Sequence, residues 1–171
     1  MRRALEFVSL FALAAIAWVT FAALHGPHGV VGRIPTRFDA AGRPVAWGPP
    51  WMLLVLPIMA VVIYLLMTLV ARYPGAFNYP VRVTPANHAR LQALALEMIA
   101  WLKAEVAWLL AAIQIETVRA ARAGHAGLSP RFMPIATGVI FATIIGYIGA
   151  MRRTGLIRAE PRPRNEPGAK P

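Results

Sequence analysis

Charged side chains inside an apolar segment are the feature of this sequence best suited to chemistry. Lys103 and Glu105 lie near the middle of segment 94–115, which also holds Glu97. A charge at the centre of a membrane-spanning helix costs about 2.5–3.5 kcal/mol on insertion scales, so such residues usually face other protein groups. Lys103 and Glu105 are about 200° apart around a helix and cannot pair with each other.

We therefore expect Lys103 to extend toward the inner membrane surface. We expect Glu105 to be protonated or to accept a hydrogen bond from another helix. The available polar residues are Tyr64, Thr68, Thr137, Thr143 and Tyr147. The alternative interpretation is that Lys103 and Glu105 belong to an ion or proton pathway.

Residues for other chemistry are few. His25, His28, His125 and Asp39 offer metal-ligand atoms, but Pro27 separates the first two and no pattern of supporting carboxylates accompanies them. The sequence has no cysteine, no metalloprotease helix motif, no phosphate-binding glycine loop and no Ser/His/Asp spacing. We predict that the protein is not an enzyme and that it holds no metal and no cofactor.

Four apolar segments account for nearly half of the 171 residues. Hydrophobic residues make up 58% of the chain and charged residues 15%, against about 25% charged in soluble domains. Each segment reaches the roughly 20 helical residues that cross a bilayer. The sequence predicts an all-α membrane protein with one domain, 1–150, and four transmembrane helices. These helices are predicted at about 5–24, 51–71, 94–115 and 132–150.

Basic residues flank these segments and predict the orientation. The formal net charge is +11, and Lys103 is the one basic residue inside an apolar segment. This distribution is typical of contact with anionic lipid head groups, so we expect the lipid bilayer, and no nucleic acid, as a partner. Lys and Arg are more frequent in the segments on the side of the amino terminus than in the loops on the other side, and segment 151–171 decides this difference. Because the side richer in Lys and Arg is usually cytoplasmic, both termini are predicted in the cytoplasm. Segment 151–171 is predicted to be a disordered basic tail.

The first apolar segment follows Arg2 and Arg3 and could be an export signal. A cleavable signal has an apolar stretch of about 7–15 residues, and this one is longer. We predict a retained helix.

A structured outer loop is predicted at 25–50, between the first two helices. Polar and apolar residues alternate before and after 40–44, which is predicted to be a turn with Gly42 at a positive φ. A small β-hairpin or ordered loop is therefore expected. The aromatic residues Phe38, Trp47 and Trp51 are predicted to anchor at the lipid interface. The alternative is an outward recognition surface. Its candidate interaction residues are Arg37, Asp39, Arg43 and Trp47.

Two further patterns concern helices. Thr84 offers a helix N-cap with Pro85 at the first helical position, and the helix is predicted to continue past the apolar segment toward Ala123. In the last segment, Gly138, Ala142 and Gly146 share one helical face. Small residues allow transmembrane helices to approach closely, so this face predicts a contact within the bundle or with a second copy of the chain.

The outer loop and the following inner segment together resemble a known bacterial family. The loop runs Arg33-Ile34-Pro35-Thr36-Arg37-Phe38-Asp39-Ala40-Ala41-Gly42-Arg43-Pro44 and closes on Trp47-Gly48 before a membrane span. The inner segment contributes Arg72-Tyr73-Pro74, Phe77-Asn78-Tyr79-Pro80-Val81, Thr84 and Asn87. Together these residues resemble the bacterial domain of unknown function 1648, found at the start of the Sdp-type toxin-immunity proteins. The family usually has a histidine where this chain has Arg37, and the Sdp-type proteins have more spans.

The resemblance implies a multi-pass protein of the bacterial inner membrane. Its implied role is to bind, sense or give immunity against an extracellular peptide or a partner protein. The alternative function is a proton- or ion-coupled transporter or channel that uses Glu105 and Lys103.

Overall fold

The computed structural model describes residues 1–26, 29–30, 32–39, 41–123 and 129–156. The elements are helix α1 (Arg2–His25), strands β1 (Ile34–Phe38) and β2 (Pro44–Gly48), and helices α2 (Val55–Ala71), α3 (His88–Ala123) and α4 (Phe132–Leu156). Short 3-10 turns at Pro50–Leu54 and Pro74–Ala76 lie before and after α2. The prediction of four long apolar helices with a small hairpin between the first two is confirmed. All four helices are long and apolar enough to cross a membrane.

Helix α3 lies at the centre of the fold and contacts each of the other three helices. Its most extensive contact is with α1. Small side chains on α3 form the facing surface: Ala100, Ala104, Ala107 and Ala111 are buried at spacings of three and four. Because such residues let two backbones approach closely, they make α1 and α3 the core pair. The buried face of α1 has the same spacing and consists of Leu5, Ser9, Ala12, Ile16, Thr20 and Ala23.

The outer loop forms a two-stranded antiparallel sheet. The turn uses Gly42 at φ 78°, as predicted, because the left-handed region is open to glycine at little cost. Gly48 is the last residue of β2 and has no room for a side chain, because an added Cβ would lie 2.8 Å from Thr36 Cγ2. Ile34 and Leu53 are buried together with Ala23 and Val118, so the hairpin rests on the ends of α1 and α3.

The long third helix is confirmed, but its start differs in detail. A turn at 85–87 precedes His88, and the Thr84 backbone N–H donates to Asn87 Oδ1 (2.8 Å). The His88 N–H donates to the Thr84 carbonyl (3.0 Å). Asn87 therefore performs the reciprocal half of a capping box at the predicted cap position.

Helix α4 continues beyond the predicted domain boundary at 150. It ends at Leu156, and its last turns pack against the inner segment, where an added Cβ at Gly155 would lie 2.9 Å from Val81 Cβ. Met151 is buried with Leu91 of α3. The assignment of 151–156 to a disordered tail is thus wrong, because apolar packing extends the helix. The rest of the predicted tail, 157–171, lies outside the described residues.

The glycine-rich face of α4 is not packed against another described helix. Gly138, Ala142 and Gly146 are exposed, and apart from neighbouring residues and the backbone of α4 itself no heavy atom of the described residues lies within 4 Å of a Cβ built on either glycine. The expected contact within the bundle is therefore not formed. Contact with a second copy of the chain stays a prediction.

Candidate functional site

A polar cluster lies between α1, α2 and α3. Lys103 Nζ donates to Glu6 Oε1 of α1 (2.5 Å) and to Thr68 Oγ1 of α2 (3.1 Å). It also lies 4.5 Å from the centroid of the Tyr64 ring, whose hydroxyl donates to Glu6 Oε2 (2.9 Å). The Lys103 side chain is 3% exposed and that of Glu6 is 40% exposed. The cluster therefore satisfies a buried ammonium with one opposite charge, one hydroxyl and one aromatic face.

The Lys103 ammonium is buried in the bundle, where Glu6 in the first turns of α1 supplies a counter-charge. Extension of Lys103 toward the inner membrane surface stays a prediction. Sequence reasoning overlooked Glu6, which lies close to Arg2 and Arg3 and looks like part of the polar flank. The available signal was complementarity between one acid in the first apolar segment and one lysine in the third.

Glu105 lies on the other side of α3 and has a different partner. Thr143 Oγ1 of α4 donates to Glu105 Oε1 (2.5 Å), so the predicted donor from another helix is present. Glu105 Oε2 is buried and has no hydrogen-bond partner among the described residues. The structure thus does not bring Lys103 and Glu105 into one site.

Loss of the Thr143 hydroxyl should loosen α4. Thr143→Val keeps the side-chain shape but removes the donor to Glu105. We expect it to reduce the free energy of unfolding by about 0.5–2 kcal/mol, the range for hydrogen bonds between apolar helices. Thermal unfolding in detergent micelles measures this change. Thr137→Val is the matched control on the exposed side of α4, and equal effects of the two variants would contradict the assigned role.

A cavity of about 600 Å³ lies beneath the hairpin. It is lined by β1, the hairpin turn, the start of α2, the carboxyl-terminal part of α3 and the start of α4. Apolar side chains supply most of the lining. The polar lining residues are Thr36, Arg37, Asp39, Gln114, Thr117 and Ser129. Its size and its few polar groups on apolar walls are typical of a small-molecule or peptide side-chain pocket. The apolar lining includes Ile34, Met52, Leu56, Ile113 and Met133.

Gln114 connects this cavity to the core. The side chain is fully buried, and Nε2 donates to Thr20 Oγ1 (2.7 Å) and to the Leu53 carbonyl (2.9 Å). Gln114 Oε1 is buried without a hydrogen-bond partner among the described residues. These bonds join α1, α3 and the turn before α2, so they fix the wall of the cavity. Gln114 was not among the predicted site residues, since one amide in a long helix carries no local signal.

The four predicted outer-loop residues lie on the hairpin but do not form one cluster. Arg37 and Asp39 line the cavity, whereas Arg43 and Trp47 do not. Arg37 is exposed and has no ion-pair partner in the described part of the chain. Trp47 is exposed, and its carbonyl accepts a hydrogen bond from Arg33 (2.7 Å).

The aromatic residues expected at the lipid interface differ in their exposure. Trp47 and Trp51 are exposed, but Phe38 is half-buried and lines the cavity. Phe38 lies on β1, the strand that contacts α3, and this explains its different environment.

Asp39 organises the hairpin turn. Its Oδ1 accepts hydrogen bonds from the backbone N–H groups of Ala41 (2.9 Å) and Arg43 (2.8 Å). Its Oδ2 pairs with the Arg43 guanidinium (3.1 Å). The bond from the Arg43 backbone, followed by the Arg43 side chain, holds the pKa of Asp39 below its ordinary value.

The Asp39 carboxylate should make the hairpin sensitive to acid. Folding lowers the pKa of Asp39, so the ionised carboxylate stabilises the folded hairpin. This stabilisation is fully present above the unfolded-chain pKa of about 3.9 and is lost as pH falls through the folded pKa. In an NMR titration of the Asp39 carboxyl carbon, Arg43→Gln should raise this pKa only in part, since the backbone N–H donor remains. A wild-type Asp39 that titrates at or above its ordinary value would contradict the turn geometry.

Of the histidines weighed as metal ligands, His25 stacks on Phe21 with ring centroids 5.0 Å apart. His28 and His125 lie outside the described residues. Across the described ranges, no group of three or more His, Cys, Asp or Glu side chains is arranged to hold a metal ion.

Comparison with known proteins adds no family assignment. No protein-family model, curated protein or solved structure matched this chain. The relationship to the domain of unknown function 1648 and to the Sdp-type immunity proteins stays a prediction from the residues of the outer loop and inner segment.

Proposed function

We propose that this chain is a four-span protein of the bacterial inner membrane that binds an extracytoplasmic peptide or partner protein through the cavity beneath its hairpin. In this proposal the hairpin lies outside the cell membrane and both termini lie in the cytoplasm. The orientation is supported by the basic residues at the end of the bundle where α1 begins and α4 ends. An immunity or sensing role follows from the family resemblance.

The single observation that carries the binding role is the cavity. Its apolar walls suit an apolar side chain, and Arg37, which has no ion-pair partner among the described residues, suits an anionic group at the rim. Strand β2 has no extensive contact with any described element except β1, so its outer edge is open to another extended chain. Pairing of an extended peptide with a sheet edge, with a side chain seated in a pocket, is a common recognition mode.

A survival assay tests this role. A strain that lacks the gene is exposed to the peptide fraction of culture fluid from competing bacteria. We expect lower survival than in wild type, and we expect recovery with the wild-type gene. Arg37→Ala should fail to restore survival although its membrane level is normal. Arg90→Ala, which alters an exposed arginine at the opposite end of α3, should restore it.

Equal survival of the deletion and wild-type strains would count against an immunity role. Full recovery with Arg37→Ala would count against the cavity rim as the binding surface.

Proton- or ion-coupled transport is the second candidate, and one observation favours it. Glu105 has a buried carboxyl oxygen without a partner among the described residues, and the side chain lines a groove of about 540 Å³ between α1, α3 and α4. Lys103 would not act with it, because Lys103 is paired with Glu6 on another side of α3. Glu105→Gln should abolish flux in proteoliposomes if transport occurs, and unchanged flux would exclude this use of Glu105.

A further inference from the structure

A second, smaller pocket lies at the amino-terminal end of the bundle, far from the hairpin. It has a volume of about 300 Å³ and is formed by the start of α1, the end of α2 and the first half of α3. We call it the basic pocket. Charged side chains dominate one part of its lining and apolar side chains the other. They include Arg2, Arg3, Glu6, Lys103, Ala71 and Ile99.

The charges in the basic pocket do not cancel. Both carboxylate oxygens of Glu6 accept hydrogen bonds from within the bundle, one from Lys103 and one from Tyr64. The Glu6 charge is thereby matched to Lys103. Arg2 and Arg3 are exposed, and neither forms an ion pair with any residue that the structure describes. Two guanidinium groups are therefore left to bind an anion.

The apolar walls of the pocket and its position on the bundle indicate which class of anion it binds. Its apolar walls come from helices whose neighbouring surfaces are exposed and apolar, such as Val70 of α2. A ligand that fits has an anionic head beside Arg2 and Arg3 and an apolar part along the helices. Arginine suits phosphate because its planar group donates two parallel hydrogen bonds. Basic pockets between transmembrane helices are known to hold phospholipid head groups.

We propose that the basic pocket binds the phosphate head group of one anionic glycerophospholipid, in the leaflet that surrounds the amino-terminal end of α1. Arg2 and Arg3 bind the phosphate. The Glu6–Lys103 pair holds α1 against α3 and so positions the two arginines. This site is separate from the hairpin cavity and does not depend on peptide binding there.

Lipid titration of the full chain in mixed micelles tests the proposal, with native mass spectrometry as the readout. Wild type should retain one molecule of short-chain phosphatidylglycerol and little phosphatidylcholine. The double variant Arg2→Gln/Arg3→Gln should bind phosphatidylglycerol about tenfold more weakly. Arg152→Gln/Arg153→Gln is the matched control, since it removes two adjacent exposed arginines at the same end of the bundle but outside the pocket. It should change binding less than about twofold.

Three results would overturn the proposal. Equal weakening by the two double variants would indicate general attraction between a basic surface and anionic lipid. Equal retention of phosphatidylcholine would show that the anionic head group is not selected. Inorganic phosphate that competes as well as the lipid would identify a free-phosphate site.

A second variant covers the case in which loss of two charges prevents insertion of α1. Arg2→Lys/Arg3→Lys keeps the charges that orient the helix but loses the bidentate geometry. Binding about threefold weaker than wild type would support the site, and wild-type affinity would contradict it.

Discussion

Replacement of Glu6 with leucine should lower the free energy of unfolding by about 3 kcal/mol, because it leaves a buried ammonium without its counter-charge. Lys103 is 3% exposed and would retain only the Thr68 hydroxyl and the Tyr64 ring as partners. Unfolding in detergent micelles, followed by circular dichroism, measures the loss. Adding Lys103→Met should recover most of the stability, since an apolar pair of similar size often replaces a buried ion pair without cost.

Glu116→Leu is the matched control for this experiment. Glu116 is also an acid in an ion pair, but its partner Arg119 is exposed and lies on the same helix. We expect a change of at most about 0.5 kcal/mol. If Glu6→Leu were no more harmful than Glu116→Leu, the Glu6–Lys103 pair could not be a main link between α1 and α3.

Replacement of Gln114 with alanine should also destabilise the chain by about 3 kcal/mol, from a new cavity and from a buried carbonyl left without a donor. The affected carbonyl is that of Leu53, in the turn before α2. Gln114→Leu fills most of the volume and isolates the lost hydrogen bonds, for which we expect about 1–2 kcal/mol. Thermal unfolding in micelles again provides the measurement.

Gln92→Ala tests whether this loss is specific. Gln92 is a half-buried glutamine near the start of the same helix, and its side chain makes no hydrogen bond within the described ranges. Its replacement should cost about 0.5 kcal/mol or less. Similar losses at positions 92 and 114 would mean that the bonds from Gln114 to Thr20 and Leu53 contribute little.

The elements of this fold could be predicted from the sequence because their signals are local. Segment length and hydropathy indicated four helices, and the alternating residues around Gly42 indicated the hairpin and its positive φ. Which helix faces meet is a long-range property. It depends on the order and rotation of the helices, so the pairing of Glu6 with Lys103 and the junction at Gln114 were not predicted.

The glycine-rich face of α4 illustrates why a local pattern does not identify its partner. Thr143 donates to Glu105, and this bond turns the Thr143 side of α4 toward α3. At 100° per residue, Thr143 lies about 100° around the helix from Ala142. Gly138, Ala142 and Gly146 are exposed, while buried alanines of α3 provide the close approach to α1.

The arrangement of the chain across the membrane is tested most directly by cysteine labelling. The sequence contains no cysteine, so single cysteines can be introduced without background. Arg43 lies exposed in the hairpin turn and Arg153 lies exposed at the end of α4. We predict that a membrane-impermeant maleimide labels Arg43→Cys in intact cells and labels Arg153→Cys only after permeabilisation. Labelling of Arg153→Cys in intact cells, or protection of Arg43→Cys, would contradict a hairpin cavity that faces outward.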